Sequence, residues 1–222
     1  RKCWEAGLVG TDYPKEYGGG GHKGFQRIAS QEVARAQVPF FLNIIGLQMA
    51  APTILHHGTH EQKLRFIKGA LSCDEIWCQG FSEPGAGSDL SNSRTMAVRQ
   101  PDGAWLVNGH KVWTTLGRFA DQMILIARTS TDDKYRGLTY FLNPMKAPGV
   151  IVRPLIKITG ELGFNEVLFE DMRVEDDRRL DEVGAGWTVA MTTLLHERGA
   201  AETAGGGWNI GDQIEKLARS PT

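Results

Sequence analysis

Apolar and polar positions change their period twice along this chain, and the changes divide it into three zones. Residues 1–75 read mostly helical. Phe25, Ile28, Ala29 and Val33 recur at helical spacing. Pro39 interrupts that pattern. Leu42, Ile45, Met49 and Ala50 then mark a second helix, restarted at Pro52 and carried on to Ile54 and Leu55 before Gly58. Thr59 and Gln62 form a capping-box pattern ahead of Leu64, Phe66 and Ile67, which predicts a third helix start. Pro14 and the four glycines 18–21 read as loop.

From residue 76 the period shortens toward two. Ile76 to Phe81 is a short β-prone run. Trp105, Leu106 and Val107, then Asn108-Gly109, then Lys111, Val112 and Trp113 give the strongest hairpin signal in the chain. Residues 122–127, 138–142, 150–153 and 166–169 predict further strands between Gly, Pro and Asp turns. Several short strands without long helices between them predict an antiparallel barrel or sandwich. Helical spacing returns after Gly184-Ala185-Gly186-Trp187, through Val189, Ala190, Thr193, Leu194 and Glu197. Three glycines at 205–207 predict its end, and residues 210–218 a short further helix. The expected class is α+β. The expected divisions are a helical domain over 1–75, a β domain over 76–182 and the start of a helical domain over 183–222.

Composition narrows the function classes. The 222 residues carry a net charge of −1, with 41% hydrophobic and 23% charged residues. That is the balance of an ordinary globular protein, not of a disordered chain. It supplies no general attraction for nucleic acid or for an anionic membrane. No run approaches the roughly 18 apolar residues of a membrane-spanning helix. Cys3, Cys73 and Cys78 form neither a disulfide framework nor a zinc spacing, so no metal is expected. The start at Arg1-Lys2-Cys3 and the end at Ser220-Pro221-Thr222 read as part of a longer chain trimmed at both ends.

The densest chemistry is Phe81-Ser82-Glu83-Pro84-Gly85-Ala86-Gly87-Ser88-Asp89. A turn of this kind presents backbone N–H groups and small hydroxyls, a natural seat for phosphate. Three familiar motifs fail here. Gly87-Ser88-Asp89 lacks the lysine of a P-loop, strands rather than a helix follow, and Pro84 stands where a nucleophile elbow needs glycine. Spacing alone leaves a plain surface turn open.

The segment Ser82 to Asp89 resembles the signature of the acyl-CoA dehydrogenases. Asn108-Gly109-His110-Lys111-Val112-Trp113-Thr114-Thr115 is similar to that family's second flavin segment. Phe169-Glu170-Asp171-Met172-Arg173-Val174 resembles the end of its β domain. Tyr13-Pro14-Lys15-Glu16-Tyr17-Gly18-Gly19 and Gly58-Thr59-His60-Glu61-Gln62-Lys63 match upstream, so the likeness covers nearly the whole chain. Glu175-Asp176 depart from it, standing where the family usually has proline.

The resemblance implies a helical N-terminal domain, a central antiparallel β-barrel and a C-terminal helical bundle of which this chain holds only the start. It implies FAD as cofactor and α,β-dehydrogenation of an acyl-CoA thioester. In that reaction a carboxylate takes the α-proton, and the β-hydrogen leaves as hydride to flavin N5. It further implies an electron-transferring flavoprotein as partner and a homodimer, homotetramer or heterotetramer. The implied location is the bacterial cytoplasm or the mitochondrial matrix. Residue by residue, it implies cofactor contacts from Gln79, Phe81, Ser82, Gly87, Ser88, Trp113 and Thr115. Ser82 would meet the pyrimidine side, Trp113 pack against the ring, Thr115 meet N5, and Ser88 with Gly87 the pyrophosphate. Ser88 and Arg198 are implied at the substrate. In one subset of the family the base precedes an arginine on the first helix of the bundle, which implies Glu197 here, with Glu202 a weaker candidate. Glu83 and Asp89 read equally as braces of the turn. An acyl-CoA oxidase or a catalytically silent subunit of the same fold are the alternatives.

Overall fold

The computed structural model describes residues 1–36 and 41–203, with side chains in the last helix described as far as Arg198. Five helices and eight strands follow in the order α1 (Lys2–Glu5), α2 (Gln26–Arg35), α3 (Ala51–His57), α4 (His60–Ser72), β1 (Trp77–Gly80), β2 (Met96–Arg99), β3 (Trp105–Thr115), β4 (Gln122–Arg128), β5 (Leu138–Pro144), β6 (Val150–Leu155), β7 (Phe164–Val174), β8 (Arg179–Leu180) and α5 (Gly186–Thr203). A π-helical turn, Gly46–Ala50, runs directly into α3. The expected helix end at 205–207, the helix over 210–218 and the side chain of Glu202 lie outside the described residues.

The first helices form where the pattern placed them. The Thr59 hydroxyl accepts from the Gln62 N–H at 3.2 Å, and the Gln62 side chain accepts from the Thr59 N–H at 3.1 Å. Two of the donors that a helix start leaves unpaired are thereby satisfied. Phe66, Ile67, Ala70 and Leu71 share one face of α4 and are buried. Asn43, wholly buried, donates to Ala70 O and Glu75 O and accepts from the Trp77 N–H. One amide thus joins the end of α4 to the first strand. Gln62 donates to Asp177 O and Arg179 O, joining the start of α4 to the far end of the sheet.

The eight strands make one sheet in the order β6-β7-β3-β2-β4-β5-β8, with β1 branching from β4. Pairing is mostly antiparallel, as expected, but β1 lies parallel to β4 and β2 meets β4 in a parallel bridge. β4 explains its own apolar sequence. Ile124 and Ile126 face the helices, while Met123, Leu125 and Ala127 face a second core with Trp105, Phe141 and Met172. A strand covered on both faces has no polar side to show.

One expectation is overturned. Asn108-Gly109 is not a hairpin turn; β3 runs straight through it from Trp105 to Thr115. A Cβ on Gly109 would meet the Thr95 side chain at 2.4 Å, so the glycine admits a crossing side chain rather than reversing the chain. The reversal comes earlier, at residues 100–104, where the Gln100 N–H donates to Ala104 O at 2.8 Å and Gly103 takes φ +91°. It pairs β3 with β2, a strand the pattern did not predict.

α5 begins at Gly186, where a Cβ would meet Thr139 N at 2.6 Å, so glycine lets the helix press on β5. Val189, Ala190 and Thr193 are buried in that seam. The Thr193 hydroxyl meets those of Thr53 and Tyr140, each at 3.0 Å, which fixes α5 against α3 and β5.

Candidate functional site

The glycine-rich turn leaves β1 and closes on itself. The Glu83 N–H donates to Ala86 O at 2.7 Å, and the Ala86 N–H returns to Glu83 O at 3.1 Å. Gly85 and Gly87 are exposed, and a Cβ on either would meet nothing. The outer rim of the turn is therefore open backbone. The Val112 N–H donates to Ser82 O at 2.9 Å, so the turn lies against the second half of β3.

Beneath the turn sits a buried ion pair. Lys111 is wholly inaccessible, and its ammonium donates to Glu83 Oε1 at 2.7 Å and Phe81 O at 3.0 Å. Glu83 also accepts from the N–H groups of Arg94, at 2.7 Å, and Thr95, at 3.0 Å. Burial alone would raise the Glu83 carboxyl, but the Lys111 charge and these donors outweigh it and hold the carboxyl below its ordinary value. Burial pushes the Lys111 ammonium down to about 8, against the attraction of Glu83. Glu83 thus braces the turn, and Lys111 is the brace that residue type concealed. Its alternation with Trp105 and Val107 along β3 was the available signal, since all three face inward.

Two residues further on, β3 carries a bulge. Lys111 pairs with Val167 and Thr114 with Asn165, so β3 has one residue more than β7 in this interval. Trp113 occupies it at φ +60°. The extra residue resets the alternation: Thr114 turns inward and is buried, while Trp113 turns outward and is 60% exposed. The indole edge meets Phe164 at 5.9 Å and 89°. Thr115 and Ser82 are half-buried beside it.

The structure therefore sets Ser82 against β3 at Val112, next in sequence to the exposed Trp113 and three before the half-buried Thr115, with Gly87 and Ser88 exposed on the rim of the turn. Gln79 is half-buried on β1, next to Gly80 and the turn. The Phe81 ring is buried edge-on to Tyr140 at 5.9 Å, and its carbonyl is taken by Lys111. Asp89 braces the surface, accepting from Ser91 at 2.6 Å and Lys134 at 3.1 Å. Glu197 and Arg198 are exposed on α5, which packs on α3 and β5. Asp176, at the departure from the family pattern, accepts from Trp105 at 2.7 Å and pairs with Arg179. The Arg179 hydrogen bonds hold its carboxyl down at about 2.

A cavity of about 690 Å³ lies elsewhere, between α3–α4 and residues 176–182; Asp176 and Arg179 line it, but no residue of the turn, the bulge or α5 does. Arg65 and Arg178 in its wall lie over the Phe66 ring at 4.8 Å and 5.4 Å. Arg65 also pairs with Glu75, and Arg178 donates to Gln122 and Leu142 O. Those cations are spent on holding the helices to the sheet. Among the described residues no cluster of His, Cys, Asp or Glu could hold a metal ion. Nor is any described helix long and apolar enough to cross a membrane.

A helical layer leading into this sheet is the arrangement of acyl-CoA dehydrogenase N-terminal and middle domains, whose family models match residues 1–74 and 78–172. The chain belongs to the acyl-CoA dehydrogenase family. It is 44% identical to acyl-CoA dehydrogenase FadE34 of Mycobacterium tuberculosis, over 97% of this chain and 30% of that protein. The solved structure of the Tcur3481-Tcur3483 steroid ACAD superposes with a TM-score of 0.84 and 31% identity, over 98% of this chain and 56% of that one. The prolyl acyl carrier protein oxidase AnaB superposes at 0.85 with 27% identity, over 100% and 60%. The chain spans between 30% and 57% of the length of the curated relatives named as bacterial acyl-CoA dehydrogenases.

Proposed function

We propose that the protein of which this chain is part oxidises an acyl-CoA thioester between its α and β carbons, with FAD held at the turn-and-bulge face. The observation that carries the reading is the bulge. It exposes a large aromatic, Trp113, beside the hydroxyl-bearing Thr115 and Ser82, next to an open glycine-rich turn. Those groups fit a flavin: a flat apolar face for the ring, hydroxyls for its polar edge, and free backbone at Gly85 and Gly87 for an anionic tail. When bound, FAD supplies the hydride acceptor.

The residues of the chain do the rest. Ser82 and Thr115 orient the ring by hydrogen bonds, Trp113 covers one face, and Gly87 with Ser88 receives the pyrophosphate. Glu197 takes the α-proton. It begins exposed on α5, so substrate and the neighbouring helices must bring the α-carbon within about 3 Å of its carboxylate. Arg198 binds the substrate or pairs with a neighbouring helix. An electron-transferring flavoprotein takes up the electrons, and the assembly is a homo- or hetero-oligomer. The steroid named for the solved relative makes a steroid side-chain thioester a substrate to set beside straight-chain ones.

Replacing Glu197 by Gln in the full-length protein tests the base. Exchange of the substrate α-proton with solvent deuterium is expected to stop; unchanged exchange removes Glu197 from the role. The oxidase relative favours one second reading, delivery of electrons to O₂. Turnover with a dye acceptor under nitrogen, compared with turnover in air, separates the two.

A further inference from the structure

We propose that Asn165 is a positioning residue that holds the Trp113–Thr115 bulge in its flavin-facing form; this rests on the flavin reading above. Trp113 sits at φ +60°, which costs a non-glycine residue roughly 1–3 kcal/mol and persists only where the surroundings enforce it. β7 supplies the enforcement from both faces of the strand. Phe164 meets the Trp113 indole on the outside. Asn165, the next residue and only 3% exposed, reaches in from the other face and donates its side-chain N–H to Thr114 O at 3.0 Å. That bond fixes the peptide between Thr114 and Thr115, and so the direction in which the Thr115 side chain leaves the strand. Gly117 makes the room: a Cβ there would lie 3.1 Å from Thr114 and 3.3 Å from Asn165.

The pair is poor for stability. Asn165 Oδ1 and Thr114 Oγ1 are both buried without a partner among the described residues. An unpaired buried polar atom costs about 1–3 kcal/mol, so an apolar residue at 165 would serve the core better. A buried amide whose oxygen has no partner is kept for the one bond it makes, and that bond is to the bulge.

The test uses the full-length protein, FAD as probe, and the variants Asn165→Leu and Asn165→Asp, both of which lose the donor. Three readouts are taken: FAD affinity, the visible circular dichroism of bound flavin, and amide exchange in the apoprotein. The expected result is FAD binding weakened tenfold or more, an altered dichroism band, and faster exchange confined to residues 113–116. Gly117→Ala, which crowds the pair without removing a polar atom, is expected to move the dichroism in the same direction. Wild-type affinity and dichroism in a folded Asn165 variant would overturn the proposal. So would loss of protection throughout β4 and β5, which marks a merely structural role, or an unaltered Gly117→Ala spectrum. Absence of FAD binding by the wild-type protein fails the flavin reading instead, while the exchange comparison still decides whether Asn165 holds the bulge.

Discussion

Replacing Lys111 by Met isolates the brace under the glycine-rich turn. Methionine keeps the apolar stem, so little cavity is created and the change is chiefly the loss of the ammonium. Removing one partner of a buried ion pair costs about 3–5 kcal/mol, because the other charge is left behind. Two offsets apply here. Glu83 keeps the N–H donors of Arg94 and Thr95. The ammonium is itself poorly placed, since burial lowers it from 10.5 to about 8 despite the attraction of Glu83. The expected loss is therefore at the lower end, about 3 kcal/mol, read as the difference between urea-unfolding curves followed by circular dichroism. The double variant Lys111→Met, Glu83→Gln is expected to lose less than the single one, because no bare carboxylate stays buried. A single-variant loss below about 1 kcal/mol, or a double variant as costly as the sum of its parts, would refute the reasoning.

The same pair sets a pH dependence. Folded Lys111 gives up its proton near 8, whereas the unfolded lysine keeps it to 10.5, so between those values the unfolded state binds more protons. Stability from this group rises with pH through that window, and the rise is expected to vanish in Lys111→Met. Glu83 acts on the acid side: its contribution is complete above its ordinary 4.5 and is lost as pH falls through its lower folded value. Thr59→Ala removes the capping box of α4 and is expected to lower stability by about 1 kcal/mol, with Thr59→Ser nearly silent in the same unfolding assay. Gly109→Ala drives a methyl into Thr95 and is expected to cost about 1–3 kcal/mol; a silent variant would show that β3 and Thr95 separate easily.

The chain's pattern carried the helices well, because their signals are local. Thr59 and Gln62 are three residues apart, and the two capping hydrogen bonds they exchange span no more than that. The sheet was legible in its strands but not in its turns. Asn108-Gly109 has the composition of a hairpin, yet its glycine answers to Thr95, a residue 14 positions away that no local rule can see. Lys111 was hidden by its type, since lysine is seldom buried and only its partner Glu83, distant in sequence, makes burial tolerable. The bulge at Trp113 was equally hidden, because an extra residue in one strand appears only when both strands are aligned. The positions named by resemblance divide accordingly. Ser82 lies against β3 at Val112 near the exposed Trp113, the Phe81 ring is buried, and Glu197 is exposed on a helix packed on α3 and β5.

The face made by the turn and the bulge is the centre of this account, and hydrogen–deuterium exchange on the full-length apoprotein with and without FAD tests it most directly. Protection is predicted in peptides covering residues 79–89 and 112–116, with none gained at residues 57–66 or 176–182 around the cavity between α3–α4 and the end of the sheet. Protection centred on that cavity, with the turn and the bulge unchanged, would contradict it.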